Sequence, residues 1–304
     1  MLNAVRMDVY KMFHMKSFWV ILIIMTGFVY FSTSMVKLDL DEPQEAVQED
    51  VSAGDVEGEP DEENRIVIGG KLAEGVEEDE VESVSLGISL DSTGMTADNV
   101  TVDRLVFQDF QTMFAALFMV IFTVLFTFSD QKSGYIKHIG GQVSRRSTLV
   151  ASKAVALFVY TVFYTVFLTG AQAVSASLIY GYMRWEDWKA FLVYTGVQLL
   201  LHFALLLVCM TVTMVVRSNV FSMTFAVCLC LGVMNLVYML MDRVIHKYIN
   251  KDFDTFSHTV TGKISGLALD CTSGEAGRAV FVAAVFTVIM LGINVYNIEK
   301  RDLV

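Results

Sequence analysis

The chain contains little proline: only Pro43 and Pro60 occur among its 304 residues, and both lie outside the long apolar runs. A helix formed by one of these runs is therefore not interrupted by proline. Cysteine is also sparse, with four residues in total. Cys228 and Cys230 are two positions apart and would point to different sides of a helix. We therefore expect no structural disulfide and no metal site.

The chain also lacks a nucleotide-binding loop. Such a loop reads Gly-x-x-x-x-Gly-Lys-Ser/Thr, because successive backbone amides must surround the phosphates. The Gly-Gly-Lys at 69–71 is followed by leucine, and the segment 261–265 lacks the first glycine. The glycines of the segment 133–142 do not have this spacing either. We predict that the chain is not an enzyme and binds no nucleotide or other cofactor itself.

Long apolar runs dominate the composition, with 54% hydrophobic residues and a mean hydropathy of +0.53. A bilayer core about 30 Å thick requires roughly 20 apolar residues per helical crossing. Continuous apolar runs also differ from the alternation of a membrane β-barrel. The sequence therefore predicts an all-α polytopic membrane protein. Its six predicted transmembrane helices cover residues 17–36, 110–128, 154–180, 190–216, 220–241 and 279–297.

Residues 1–16 precede the first run and combine apolar and basic residues at helical spacing. Val5, Val9 and Met12 fall on one face, with basic residues interleaved. This pattern is typical of an amphipathic helix that lies in the membrane interface. A simple polar extension of the first span is the alternative.

Acidic residues are concentrated in the insert 37–109 between the first two runs. Residues 37–108 contain 21 acids and four bases, whereas the rest of the chain contains 12 acids and 18 bases. The runs at 65–70, 81–90 and 100–107 alternate β-branched and polar residues, which predicts a small, partly β insert. Its charge could concentrate cationic peptides or divalent ions near the membrane. A solvated acidic surface without a ligand is the alternative.

Basic residues near the helix ends favour one orientation. Loops rich in lysine and arginine stay in the cytoplasm, and long loops are translocated largely regardless of charge. The density of bases in the loop 129–153 and in the tail 298–304 places both termini in the cytoplasm. The insert and the loop 242–278 are then extracellular.

Within the predicted spans the polar residues are neutral. An intramembrane charge is costly and usually functional, so its absence disfavours an ion-driven carrier. His202 could relay protons, but a lone histidine also serves as an interhelical hydrogen-bonding group. The candidates for lining a substrate path are Gln172, Gln198, His202, Asn235 and Asn294.

The loop 129–153 combines glycines with a cluster of bases. Positive charge on the cytoplasmic side explains part of this composition without any partner. A nucleic-acid site is disfavoured, because the loop is short and has few aromatic residues for stacking. Small and charged residues suit a contact with another protein. The predicted contact residues are Asp130, Ser133, Gly134, Lys137, Gly140, Gly141, Arg145 and Arg146.

The order of these features resembles the membrane subunits of ABC type-2 exporters. Many of these permeases carry a Gly-x-x-Lys element after the second span, followed by an arginine and a lysine. Here Gly134 with Lys137, Arg145 or Arg146, and Lys153 match this pattern, and Asp130 stands where an acid often precedes the glycine. The C-terminal "NIEKRDLV" is similar to the family's usual ending, with asparagine in place of the aromatic residue. Among subfamilies the chain looks most like bacterial peptide-antibiotic export and immunity permeases.

The resemblance implies a function and a set of partners. In such permeases the first cytoplasmic loop forms a coupling helix that docks on a separate ATPase subunit, which binds ATP and Mg²⁺. A second permease, identical or paralogous, completes the path through the plasma membrane of a bacterium. The cargo would be amphipathic or hydrophobic, such as a cationic antimicrobial peptide. The loop 242–278 would form re-entrant or interfacial helices, with a plain extracellular loop as the alternative.

Two other classes remain open. The chain could be a membrane sensor or scaffold, in which the acidic insert binds a ligand and the basic loop recruits a cytoplasmic partner. It could also be a secondary carrier, although no inverted internal repeat is evident.

Overall fold

Apolar runs without interior charge form helices in this chain, since a helix satisfies its own backbone hydrogen bonds away from water. The computed structural model describes residues 2–41, 65–68, 88–91, 100–132, 147–248 and 255–300. The helices are α1 (Leu2–His14), α2 (Lys16–Asp41), α3 (Val102–Gln111), α4 (Phe114–Lys132), α5 (Ser147–Tyr180), α6 (Trp188–Val216), α7 (Asn219–Cys230), α8 (Met234–Tyr248), α9 (Val260–Gly266) and α10 (Ser273–Lys300).

Five of these helices are long and apolar enough to cross a membrane: α2, α4, α5, α6 and α10. The pair α7 and α8 passes the same test only when the two are taken together, and they meet at a bend of 72°. The prediction of a helical protein with several helices of membrane-spanning length is confirmed. Within the described ranges the number of such helices is five, or six if the bent pair makes one crossing.

The bend corrects the expectation of an unbroken helix over residues 220–241. Gly232, rather than a proline, ends α7, and it has a left-handed φ of 76°. The amide of Val233 donates to the carbonyl of Cys228 at 3.1 Å, and the amide of Leu231 donates to that of Val227 at 2.9 Å. The left-handed glycine and the bond from Val233 to Cys228 are the features of a Schellman motif, which satisfies the last carbonyls of a helix.

A second break separates α3 from α4, so the predicted span 110–128 begins four residues later than expected. Met113, between the two helices, has a φ of 60°. The run 100–107, predicted as a strand, belongs largely to α3. Its buried residues Val102, Leu105 and Val106 recur at helical spacing. The sequence of this run also fits the alternating pattern of a strand.

Two of the three runs predicted as strands do contain one. Strand β1 (Arg65–Ile68) pairs antiparallel with β2 (Ile88–Asp91), with Ile66 opposite Leu90. The remaining residues of the predicted insert from 42 to 99 lie outside the described part of the chain.

Helix α6 occupies the centre of the helical packing. It contacts α4, α5, α7, α9 and α10, while α1, α2 and α3 pack against α5. Only 17% of the apolar window of α10 is buried, compared with 61% for α6. Large side chains of α10 such as Phe281 and Val288 are each 70% exposed, as expected for a helix face in contact with lipid.

Helix α5 is longer than the predicted span 154–180, because it begins at Ser147. Lys153, placed by the sequence in the loop 129–153, therefore lies inside a helix. At the other termini the differences are small: α2 extends the predicted 17–36 to Lys16–Asp41, α6 extends 190–216 to Trp188–Val216, and α10 extends 279–297 to Ser273–Lys300.

Replacing Gly232 by alanine should destabilise the protein, because an L-residue in the left-handed conformation costs roughly 1–2 kcal/mol. Gly196, inside α6 with open space where a Cβ would stand, provides the control. There alanine should be neutral or should stabilise by up to about 1 kcal/mol. The measurement is the free energy of unfolding in one detergent. Equal effects of G232A and G196A would contradict the Schellman assignment.

Candidate functional site

Most residues predicted to contact an ATPase lie outside the described part of the chain. Asp130 is described, near the end of α4. The others fall in the segment 133–146, for which the structure gives no placement: Ser133, Gly134, Lys137, Gly140, Gly141, Arg145 and Arg146. The site is therefore built from the residues that flank this segment.

Asp130 is 1% exposed and lies between two lysines from two other helices. Its Oδ1 accepts from the Nζ of Lys11 on α1, and its Oδ2 accepts from the Nζ of Lys153 on α5. The side chain of Lys153 is 5% exposed and that of Lys11 28%. The carboxylate thus faces other helices of the same chain. The predicted contact of Asp130 with a separate protein stays a prediction.

A second buried carboxylate lies beside this ion pair. Asp8 on α1 is 4% exposed and accepts from the hydroxyl of Ser152 at 2.6 Å. Burial raises the pKa of Asp8 above its ordinary value, although the hydrogen bond from Ser152 and the charges of Lys153 and Lys11 act in the opposite direction. We call the five residues Asp8, Lys11, Asp130, Ser152 and Lys153 the charged cluster.

The charged cluster joins α1, α4 and α5 at one end of the helices. Its two carboxylates and two ammonium groups neutralise one another, which is the usual condition for keeping charges away from water. Sequence reasoning missed this assembly. The three-residue spacing of Asp8 and Lys11 places both on one face of α1, but their partners are more than 100 residues away in the sequence.

Of the five residues predicted to line a substrate path, Gln172 belongs to a buried chain of hydrogen bonds. Its Nε2 donates to Oδ2 of Asp109 on α3 at 2.6 Å, and its Oε1 accepts from the hydroxyl of Thr33 on α2 at 2.9 Å. All three side chains are at most 2% exposed. Burial raises the pKa of Asp109 from 3.8 to about 7, against the effect of the bond from Gln172.

Gln198 and His202 lie one turn apart on α6, and both are fully buried. The Nε2 of Gln198 donates to the hydroxyl of Tyr194 and to the carbonyl of Ile264, at 3.0 Å each. The Nδ1 of His202 donates to the carbonyl of Gln198 at 2.8 Å, within the same helix. Its Nε2 has no hydrogen-bond partner in the described residues. Among the described residues His202 thus makes no interhelical hydrogen bond, and its role as a proton relay stays a prediction.

The two remaining path candidates lie apart from these groups. Asn294 on α10 donates to the hydroxyl of Thr211 at 2.7 Å, nine residues beyond His202 along α6. Asn235 is half-buried, three residues after the glycine that ends α7. Helix α3 does bring Gln172 and His202 to one region, since Asp109 binds Gln172 and the ring of Phe110 lies 5.0 Å from that of His202.

A metal centre is not formed by the residues described: none of their His, Cys, Asp and Glu side chains make a group of three or more placed to hold a metal ion. Comparison with known proteins gives no further guide, because no protein-family model matches the chain and no curated protein matches its sequence.

Replacing Asp130 by asparagine should destabilise the protein by about 3–5 kcal/mol, because it removes the carboxylate that binds the buried ammonium group of Lys153 and leaves Asp8 as the remaining acid of the charged cluster. The exposed pair between Arg104 and Glu186, 3.1 Å apart, provides a matched control. E186Q should cost no more than about 1 kcal/mol. Both values come from unfolding in the same detergent.

The double variant D130N/K153M should recover part of the stability that D130N loses, since it removes the more deeply buried unpaired charge. The cluster does not hold the helices together if D130N lowers the free energy of unfolding no more than E186Q does. The same conclusion follows if D130N/K153M is less stable than D130N.

Stability should depend on pH through Asp109. The folded state keeps the proton up to about pH 7, whereas the unfolded chain releases it near 3.8. Between these two pH values the folded state therefore binds more protons than the unfolded chain. The stability that protonated Asp109 contributes is fully present below about pH 4 and is lost as the pH rises to about 7.

The measurement is the unfolding free energy between these two pH values for the wild type, D109N and E186Q. D109N should lack the part of the decline that comes from Asp109, while E186Q should retain it. Identical pH profiles for the wild type and D109N would show that the carboxylate does not titrate in this range.

Proposed function

We propose that the chain is the membrane-spanning permease subunit of an ATP-driven exporter of the ABC type-2 class. The observation that supports this proposal is the charged cluster. It ties the N-terminal helix to both helices that flank the segment 133–146, where the predicted ATPase-contacting residues lie. A force applied to this segment would therefore reach three helices together.

The position of the cluster relative to the loop supports this transmission. Asp130 lies two residues before the end of α4, and Lys153 lies six residues after the start of α5. The ion pair between Asp130 and Lys153 fixes the position of the end of α4 relative to the start of α5. In this proposal Asp130 positions the loop, and the basic residues Arg145 and Arg146 make the contact with the ATPase.

The ATPase subunit supplies ATP and Mg²⁺, because the sequence contains no P-loop. A second permease, identical or paralogous, contributes the other half of the path. The protein lies in a bacterial plasma membrane with both termini in the cytoplasm, and its cargo is amphipathic or hydrophobic, with a cationic antimicrobial peptide as one candidate. The neutral polar groups Gln172, Gln198, His202, Asn235 and Asn294 remain proposed contacts on its path.

One observation favours a second candidate, a proton-driven carrier. Asp109 is a buried carboxylate at the end of a helical segment, and its pKa of about 7 lets it gain and lose a proton near neutral pH. Asp109 also binds Gln172 of the spanning helix α5, and carboxylates that serve as proton relays occur in proton-coupled carriers. The transport experiment below distinguishes the two.

Reversing two charges in the loop tests the coupling. The double variant R145E/R146E should insert normally but lose binding of the proposed ATPase subunit, and with it ATP-driven transport, because like charges replace attractive ones. The loss in affinity should be at least about tenfold. The measurements are co-purification with the ATPase and ATP hydrolysis by the complex in proteoliposomes.

Lys189 provides the control, because it is an exposed base at the opposite end of the helices. K189E should leave both measurements unchanged. ATP-dependent transport that R145E/R146E does not alter would refute the coupling role. Transport that needs no ATP and stops when a protonophore removes the proton gradient would support the carrier.

A further inference from the structure

A cavity of about 420 Å³ opens beside α3. One face of α3 forms one wall, through Asp103, Phe107 and Gln108, while the segment preceding α6 and the segment following α9 complete it. This volume falls within the range of small-molecule sites. None of the five path candidates is among the residues that line it.

The cavity is lined predominantly by acidic charge. Asp103, Glu186, Asp187 and Asp270 contribute four carboxylates, and Arg104 is the base among the lining residues. Arg104 donates to Glu186 at 3.1 Å, so these two charges compensate each other. The carboxylate of Asp187 caps α6 by accepting from the amides of Lys189 and Ala190. The lining therefore favours a cation.

Two buried polar side chains on this wall each have one atom without a hydrogen-bond partner in the described structure. Asp103 is 2% exposed and Gln108 is 4% exposed. The Oδ1 of Asp103 and the Nε2 of Gln108 make no hydrogen bond. Buried polar groups are nearly always hydrogen-bonded, so an unpaired acceptor and an unpaired donor on two residues that line one cavity indicate a missing partner.

The chemistry of this pair restricts the ligand. Asp103 requires a donor and is best served by a positive one, whereas Gln108 requires an acceptor. The described acidic residues do not form a three-ligand metal site, which disfavours a metal ion at this position. Phe107, Ala190 and Leu269 add apolar surface for the rest of an organic molecule.

We propose that this cavity binds a primary ammonium group with a neighbouring carbonyl oxygen, the arrangement found at the amino terminus of a peptide. The ammonium pairs with Asp103, and the carbonyl oxygen accepts from Gln108. This inference does not rest on the exporter function, because binding to the isolated chain can be measured without an ATPase.

The test uses the purified full chain in detergent and two probes, alanyl-phenylalanine amide and its N-acetylated form. The indole rings of Trp185 and Trp188 stack at 4.3 Å and flank the lining residues Glu186 and Asp187, so tryptophan fluorescence provides the readout, checked by calorimetry. The free peptide should bind at least about tenfold more tightly than the acetylated one, because acetylation removes the charged donor.

Two variants assign the contacts. D103N should weaken binding of the free peptide about tenfold or more, because it removes a charge-assisted hydrogen bond. Q108L should weaken the peptide several-fold but leave n-pentylammonium, which has no carbonyl, unaffected. E275Q, which changes an exposed acid outside this cavity, should behave as wild type.

Equal binding of the two probes, or no binding of either by the wild type, would overturn the proposal and leave the cavity as a hydrated recess. An unchanged affinity in a folded D103N variant would also overturn it. The comparison of probes on the wild type stays decisive even if a variant does not fold.

Discussion

The carboxylate of Asp130, held between Lys11 and Lys153, is the interaction on which the arrangement of α1, α4 and α5 depends. Removing a charge from water costs several kcal/mol per ion, and only an opposite charge at close range compensates for this cost. If the helices separated, Asp130 and Lys153 would be left unpaired in an apolar environment. The N-terminal helix is therefore bound to the spanning helices by a charge requirement as well as by its apolar face.

A similar requirement operates at the opposite end of α5. There Gln172 links Thr33 of α2 and Asp109 of α3 in one buried chain of hydrogen bonds. Lys153 and Gln172 are 19 residues apart in the helix, which corresponds to about 28 Å. This separation is close to the thickness of a bilayer core of about 30 Å. The charged cluster and the buried carboxylate of Asp109 thus lie near the two ends of the apolar section of α5.

The long apolar helices could be predicted from the sequence because their cause is local: length and the absence of charge suffice to identify a helix of spanning length. The bend at Gly232 was missed because a glycine inside an apolar run is often tolerated, and its left-handed φ depends on the packing of the next helix. The run 100–107 was wrongly predicted as a strand, because a short run with apolar residues at several spacings fits both periods.

The partners of the polar residues could not be predicted for another reason. Asp130, Gln172 and Asn294 each stand out in the sequence as polar groups beside or within apolar runs, but each binds a residue of another helix. Without knowing which helices are neighbours, the sequence shows which groups need a partner and leaves the partner open. Burial of Asp103 and Gln108 was also not foreseeable, since α3 itself was not predicted.

Helix α3 joins two features that look separate in the sequence. One face carries Asp103 and Gln108 beside the cavity, and the other carries Asp109, bound to Gln172. A helix of ten residues moves largely as one body, because every turn is fixed by its own backbone bonds. An occupant of the cavity that displaced α3 would alter the hydrogen bond of Asp109 as well. Since that bond lowers the pKa of Asp109 against the effect of burial, occupancy of the cavity and protonation of Asp109 act on the same short helix and are thermodynamically linked whenever α3 shifts.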